Sequence, residues 1–179
     1  MTMGGVLATM RRAQGYLPVI GEGSSTPKIM FIGEAPGDKE SRTGKPFVGR
    51  AGQLLNELLE SVGITRESVY ITNIVKDRPP KNRDPRPEEI ELYGPFLDEQ
   101  IETMKPEVIA TLGRFSMEYV MKRYGLSEEL KAISDLHGKV LISQKGFKLV
   151  SLFHPAAAIY NQKLKPILFE DFKVLKTLI

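Results

Sequence analysis

The stretch Ile29-Met30-Phe31-Ile32-Gly33-Glu34-Ala35-Pro36-Gly37-Asp38-Lys39-Glu40 decides how the chain is read. An unbroken apolar run ends at Gly33 and gives way to a Gly-Glu-Ala-Pro-Gly turn, the pattern of a buried strand breaking into a tight loop that carries one carboxylate. The same pattern recurs outward from it. Short β-rich runs at 28–33, 69–75, 107–113 and 147–153 alternate with helical patterns at 50–62, 87–104, 114–124 and 166–178. In the first helix Leu54, Leu55, Leu58, Leu59 and Val62 recur at helical spacing, with Gln53, Asn56, Glu57 and Glu60 opposite, and Gly63 stops it. Alternating strands and helices predict one α/β domain over residues 1–179, a short central parallel four-stranded sheet with helices on both faces. Three loops, 33–49, 76–87 and 154–166, follow strand ends, where open parallel sheets bind their ligands.

Composition narrows the chemistry. The 179 residues are 41% hydrophobic, enough for a proper core, and no run approaches a membrane span. The N-terminal arginines follow a short apolar run, the reverse of a secretory signal, so an intracellular, cytoplasmic protein is expected. With no cysteine, disulfides, thiolate metal sites and a cysteine nucleophile are excluded, and a metal would rest on two histidines and carboxylates. Twenty-five basic against 22 acidic residues permit an anionic partner without requiring one. Gly44-Lys45 is followed by Pro46, which rules out a P-loop, and Gly33 and Gly37 do not fit the dinucleotide fingerprint. No Gly-x-Ser-x-Gly elbow exists.

What remains is Glu34 on the first loop, Asn73 in the second strand and His154 closing the fourth. Taken alone, Glu34 reads equally as a loop charge capping the next turn, Asn73 as a satisfied polar residue and His154 as a structural residue before Pro155. Taken together, GEAPG, then GKPFVGRAGQLLNELLESVGI, VYITNIVKDRPPKNRDPRPEE, PEVIATLGR and HPAA, in register from about Gly21 to the C-terminus, resemble the type-4 uracil-DNA glycosylases, a class that usually carries an iron–sulfur cluster.

The resemblance implies an enzyme that extrudes uracil from DNA and hydrolyses its bond to the sugar. It implies His154 as the donor to uracil O2, and Glu34 as the carboxylate that places or activates water, with Ala35 and Gly37 in the same turn. Ala35 stands where type-1 enzymes keep a catalytic aspartate, so whether Glu34 acts as a base or only positions water stays open. It further implies Asn73 as the reader of the base edge, Phe47 as the stacking aromatic, Glu40 as the wall beside C5 of the base, and Asn82 as a polar neighbour. Arg78, Lys81 and Arg83, together with Lys76 and Arg86, are candidate phosphate contacts, although a charge run is equally a solvated face. Pro155, Ala156 and Ala157 belong to the loop pushed into the duplex.

One departure from the family is large. Where it places two cluster cysteines, after the second strand and in the following helix, this chain has Asp77 and Tyr93, and the segment through Met10 has none. The expectation is therefore an enzyme without cofactor or metal, a monomer acting on uracil-containing DNA, with no membrane partner. A broader deaminated-base glycosylase and a non-catalytic DNA- or uracil-binding module are the alternatives.

Overall fold

The structure, a computed structural model, describes residues 15–179. Four apolar runs form the central strands β2 (Ile29–Gly33), β3 (Tyr70–Asn73), β4 (Val108–Leu112) and β6 (Lys148–Leu152), all parallel to their neighbours within this group. Two further strands correct the expected sheet of four. A two-residue β1 (Glu22–Gly23) pairs antiparallel with β3, and β5 (Val140–Ile142) pairs antiparallel with β6, giving a mixed six-stranded sheet in the order β1-β3-β2-β4-β6-β5. Neither edge could announce itself in the sequence. The first spans a single period of alternation, and the second is half exposed and so lacks a continuous apolar face. Such short edges also leave little unpaired backbone for another chain to pair with.

Alternation along β2 sends Ile29 and Phe31 to one face of the sheet and Met30 and Ile32 to the other. The first face is covered by α2 (Arg50–Ser61) and α7 (Leu164–Lys176). Leu54, Leu55, Leu58 and Leu59 of α2 are buried there, and Phe172 of α7 stacks on Phe31 with ring centres 5.8 Å apart. The second face is covered by α3 (Pro87–Met104) and α4 (Arg114–Arg123) through Leu97, Ile101, Met117 and Val120. Gly63, just past the end of α2, has φ +72°, the left-handed conformation that ends helices. The helices α1 (Asp38–Thr43), α5 (Ile133–Leu136) and α6 (Pro155–Tyr160) escaped the sequence reading because each is too short to repeat an apolar stripe. Among the described residues no helix is long and apolar enough to cross a membrane.

Positions 77 and 93, where the resemblance places two cluster cysteines, carry oxygen side chains. Asp77 and Tyr93 are both buried, and the Tyr93 hydroxyl donates a hydrogen bond to Asp77 Oδ2. Two oxygen groups bonded to each other in a chain without thiolates do not fit an iron–sulfur centre. Lys76, the neighbouring residue, is also buried, and its ammonium bonds the Thr72 hydroxyl (2.8 Å), the Asn73 carbonyl (2.7 Å) and Gln100 Oε1 (2.7 Å). Burial pushes its pKa down to about 7. Lys76 is therefore an internal tie for the end of β3, and the phosphate contact considered for it from the sequence is geometrically closed.

Tyr93→Phe removes the hydroxyl while keeping the ring. The expected result is a loss of about 1–3 kcal/mol of unfolding free energy, seen as a lower Tm in thermal denaturation, because a buried carboxylate loses one donor. An unchanged Tm would show that the Asp77–Tyr93 bond carries no net stability.

Candidate active site

The loops after β2, β3 and β6 converge at the carboxyl ends of the parallel strands around a cleft of about 600 Å³. Its walls include Glu34, Ala35, Gly37, Glu40, Phe47, Asn73, Asn82, Arg83, His154, Ala156 and Ala157. The structure thus brings most of the sequence-predicted residues to one place. Arg78, Lys81 and Pro155 do not line it.

Asn73 ends β3 directly opposite Gly33 in the β2 register, and it is 2% exposed. Its Oδ1 is buried with no hydrogen-bond partner. An orphaned buried acceptor costs about 1–3 kcal/mol, so it calls for a partner that the protein itself does not supply. Gly33 makes the space beside it. A Cβ at that position would collide with Asn73 Oδ1 and lie 2.7 Å from Phe47 Cζ. Phe47 itself has φ +48°, a strained backbone for a non-glycine residue. The close approach of Gly52 in α2 holds it there: a Cβ at Gly52 would run into the Phe47 carbonyl and lie 2.9 Å from its Cα. Both glycines lie inside the quoted motifs, but their packing roles were not legible there, since they depend on the folded approach of Asn73 and Phe47.

Glu34 leaves the end of β2 and points its carboxylate at the first turn of α4, where the Phe115 amide donates to Oε1 (3.3 Å). Gly113, with φ +99°, leaves room for it, because a Cβ there would strike Glu34 Oε1 and approach its Cδ to 2.9 Å. Burial pushes the Glu34 pKa up to about 7. The Phe115 amide opposes the rise, Asp84 adds to it, and Arg114 counters it. Asp84 and Arg114 are themselves paired at 3.2 Å.

His154 sits at the start of α6 and does two jobs with one ring. Its Nδ1 accepts from the Ala156 amide (3.1 Å), capping the helix. A ring nitrogen that accepts carries no proton, so in the neutral imidazole the proton belongs to Nε2, which is left free to donate. Burial pushes the His154 pKa down to about 4, with Glu40 opposing, so the ring is neutral near pH 7. Phe47 stacks on it with ring centres 5.6 Å apart.

Glu40 closes another side of the cleft. Its Oε1 accepts from the amides of Val48 and Gly49, both at 3.0 Å, so this carboxylate pins the loop that carries Phe47 in addition to forming a wall. The basic residues differ in their freedom. Arg78 donates to Asp38 Oδ1 (2.7 Å), Asn82 Oδ1 (2.7 Å) and the Tyr16 hydroxyl (3.0 Å). Arg83 makes a two-armed pair with Glu89 at 2.9 and 2.7 Å while still facing the cleft, and Lys81 is exposed beyond it. Lys39 and Arg50, which the sequence reading passed over, stand exposed on the rim. Among the described residues no group of three or more His, Cys, Asp or Glu could hold a metal ion.

The tautomer assigned to His154 is directly measurable. Nitrogen NMR of the imidazole is expected to show an unprotonated Nδ1 and a protonated Nε2 from pH 8 down to about 5, with the cationic ring entering only near pH 4. A ring that titrates near 6.5 would show that the cleft leaves it solvated.

The family model of the uracil DNA glycosylase superfamily matches residues 20–174. The type-4 uracil-DNA glycosylase of Saccharolobus solfataricus is 47% identical over 162 residues, covering 88% of this chain and 74% of that protein. That of Archaeoglobus fulgidus is 45% identical over 161 residues, covering 88% and 79%. That of Sulfurisphaera tokodaii is 44% identical over 164 residues, covering 89% and 74%. With the match spanning the strands, the cleft and the loops that line it, the chain belongs to the uracil-DNA glycosylase superfamily.

Proposed function

We infer that the protein is a monofunctional uracil-DNA glycosylase. The observation that carries this reading is the orphaned Asn73 Oδ1 in a slot between Gly33 and Phe47, next to a neutral His154 with a free Nε2–H. A uracil extruded from DNA supplies what Asn73 lacks: its N3–H donates to Oδ1, and its O4 accepts from the same amide's nitrogen. Cytosine presents the reverse pattern and would leave both atoms opposed by like partners. Phe47 stacks on the ring, and Glu40 stands beside C5.

In the chemical step the bond from sugar C1′ to uracil N1 breaks and its electron pair goes to the base. His154 Nε2–H donates to O2, where that charge gathers, and so acts more strongly on the transition state than on the bound base. Water adds its oxygen to C1′ and releases a proton to Glu34. A carboxylate with a pKa near 7 is matched to that transfer at neutral pH, which supports a base over a purely positioning role. No residue of this chain forms a covalent bond in the scheme, and no metal takes part. The same reading makes the protein a monomeric single domain that acts inside the cell, where the DNA is. Lys39, Arg50 and Arg83 around the mouth, and Lys81 beyond it, suit phosphates; Arg78 reaches one only by leaving Asp38. Pro155 is buried at the start of α6, while Ala156 and Ala157 present small groups to the duplex.

Excision of uracil from an oligonucleotide, revealed as alkali-labile abasic sites, is the direct test, and an inert protein would end this reading. Two variants test its parts. The single-turnover rate of the parent is expected to rise with pH and level off above about 7, as Glu34 becomes the proton acceptor. Glu34→Gln should flatten that profile and lower the rate about 10²–10⁴-fold. Its stability should move the other way. The folded pKa is raised from 4.5 to about 7, so Glu34 contributes fully below pH 4.5, and that contribution is lost as pH rises through 7. At pH 8 Glu34→Gln is thus expected to melt higher, by up to about 3 kcal/mol. Gly33 does not have a positive φ, so Gly33→Ala fits the backbone, but its methyl displaces Asn73 Oδ1 and the Phe47 ring; excision should fall by at least about 10²-fold, with circular dichroism checking that the fold is kept. A variant as active as its parent would show that the base binds elsewhere.

A further inference from the structure

Tyr160 is 91% exposed, whereas the next most exposed large apolar side chain among the described residues reaches 59%. It ends α6, the helix that His154 begins, and it lies on the wall of the same cleft. A tyrosine ring has an apolar face and a polar tip, the kind of side chain enriched at interfaces, and Tyr160 stacks on no other ring or cation among the described residues. Its support is firm. The Asn161 amide donates to the Ala157 carbonyl (2.8 Å), the Leu164 amide to the Asn161 carbonyl (3.0 Å), and the Lys163 amide to Asn161 Oδ1 (3.2 Å). The ring is therefore presented from a fixed backbone at the mouth of the cleft, which keeps the entropy lost on stacking small.

The surroundings of the ring fit one kind of cover. Six residues at 1.5 Å rise put Tyr160 about 9 Å along the helix from His154, on the order of two to three nucleotide steps of a stacked strand. Exposed Lys39 and Arg50 stand on the rim of the same cleft, and exposed Lys163 follows Tyr160 in the chain, charges suited to a polyanion. A planar, uncharged, sequence-tolerant face among cations fits the bases of a nucleic-acid strand. Resting on the glycosylase reading above, we propose that Tyr160 is a stacking platform for a base near the extruded nucleotide on the same strand, and that it sets affinity for the strand without entering the chemistry. Asn73 and Phe47 hold the base being removed; Tyr160 holds the strand that presents it.

The test pairs protein and DNA variants. Tyr160→Ala is expected to raise the half-saturating protein concentration for single-turnover excision by about 5- to 100-fold on single-stranded uracil DNA, the range for losing one base–aromatic stack, with a much smaller change in the maximal rate. Tyr160→Phe, which keeps the ring, should restore the affinity. Substrates in which nucleotides within three positions of the uracil are replaced one at a time by an abasic analogue complete a double-mutant cycle. At one position the parent should lose affinity while Tyr160→Ala loses little further, which identifies the stacked base. Independent losses at every position, or equal affinity of Tyr160→Ala and the parent, would overturn the proposal. An equal loss in the Phe and Ala variants would assign the effect to the hydroxyl, and so overturn it as well. If the parent excises no uracil at all, the glycosylase reading fails first, and the two failures are distinguished by that one control.

Discussion

The cleft exists because two strand ends come within backbone distance of other groups and carry no side chain there. Gly33 ends β2 where Asn73 and Phe47 close in, and Gly113 follows β4 where Glu34 and His154 close in. Parallel pairing forces this crowding: β2, β3, β4 and β6 run the same way in register, so their following loops must share one edge of the sheet. Four side chains with three different chemistries then meet in a space that a single methyl group would block. Close packing, more than any one hydrogen bond, fixes what can bind.

The site is assembled at the cost of local comfort. Phe47 holds a positive φ, Asn73 buries an unsatisfied acceptor, and Glu34 buries a carboxylate. Each is unfavourable alone and survives because the two core clusters on either face of the sheet over-determine the backbone around them. His154 is the exception, since its two roles cooperate. Capping α6 through Nδ1 leaves the proton on Nε2, so a stabilising bond also sets the chemically useful tautomer.

The parallel core was legible in the sequence because each of its strands is an uninterrupted apolar run, and α2 because its leucines keep strict helical spacing. The edge strands and the three short helices were not, since none spans two full periods of burial. Asn73, His154 and Glu34 were identifiable from motifs that lie near strand ends. The glycines that make room for them were invisible: Gly33 touches Asn73 forty residues away, and Gly113 touches Glu34 across the sheet. Arg78 shows the opposite limit. Its charge was plain, but only the folded chain shows it bonded to Asp38, Asn82 and Tyr16. Lys76 likewise reads as a surface cation and proves to be an interior one.

That arrangement around Arg78 has a mechanical meaning. Asp38 belongs to the loop after β2 and Asn82 to the loop after β3, and one guanidinium bonds both, while Arg42 shares the Asp38 carboxylate (2.8 Å). The two lips of the cleft are thereby stitched together. The stitch is ionic and half open to water at Asp38, so dissolved salt loosens it. Ionic strength consequently acts on this molecule twice, once by screening it from a polyanion and once by slackening the jaw that grips it, and a count of phosphate contacts taken from salt dependence alone would come out too high.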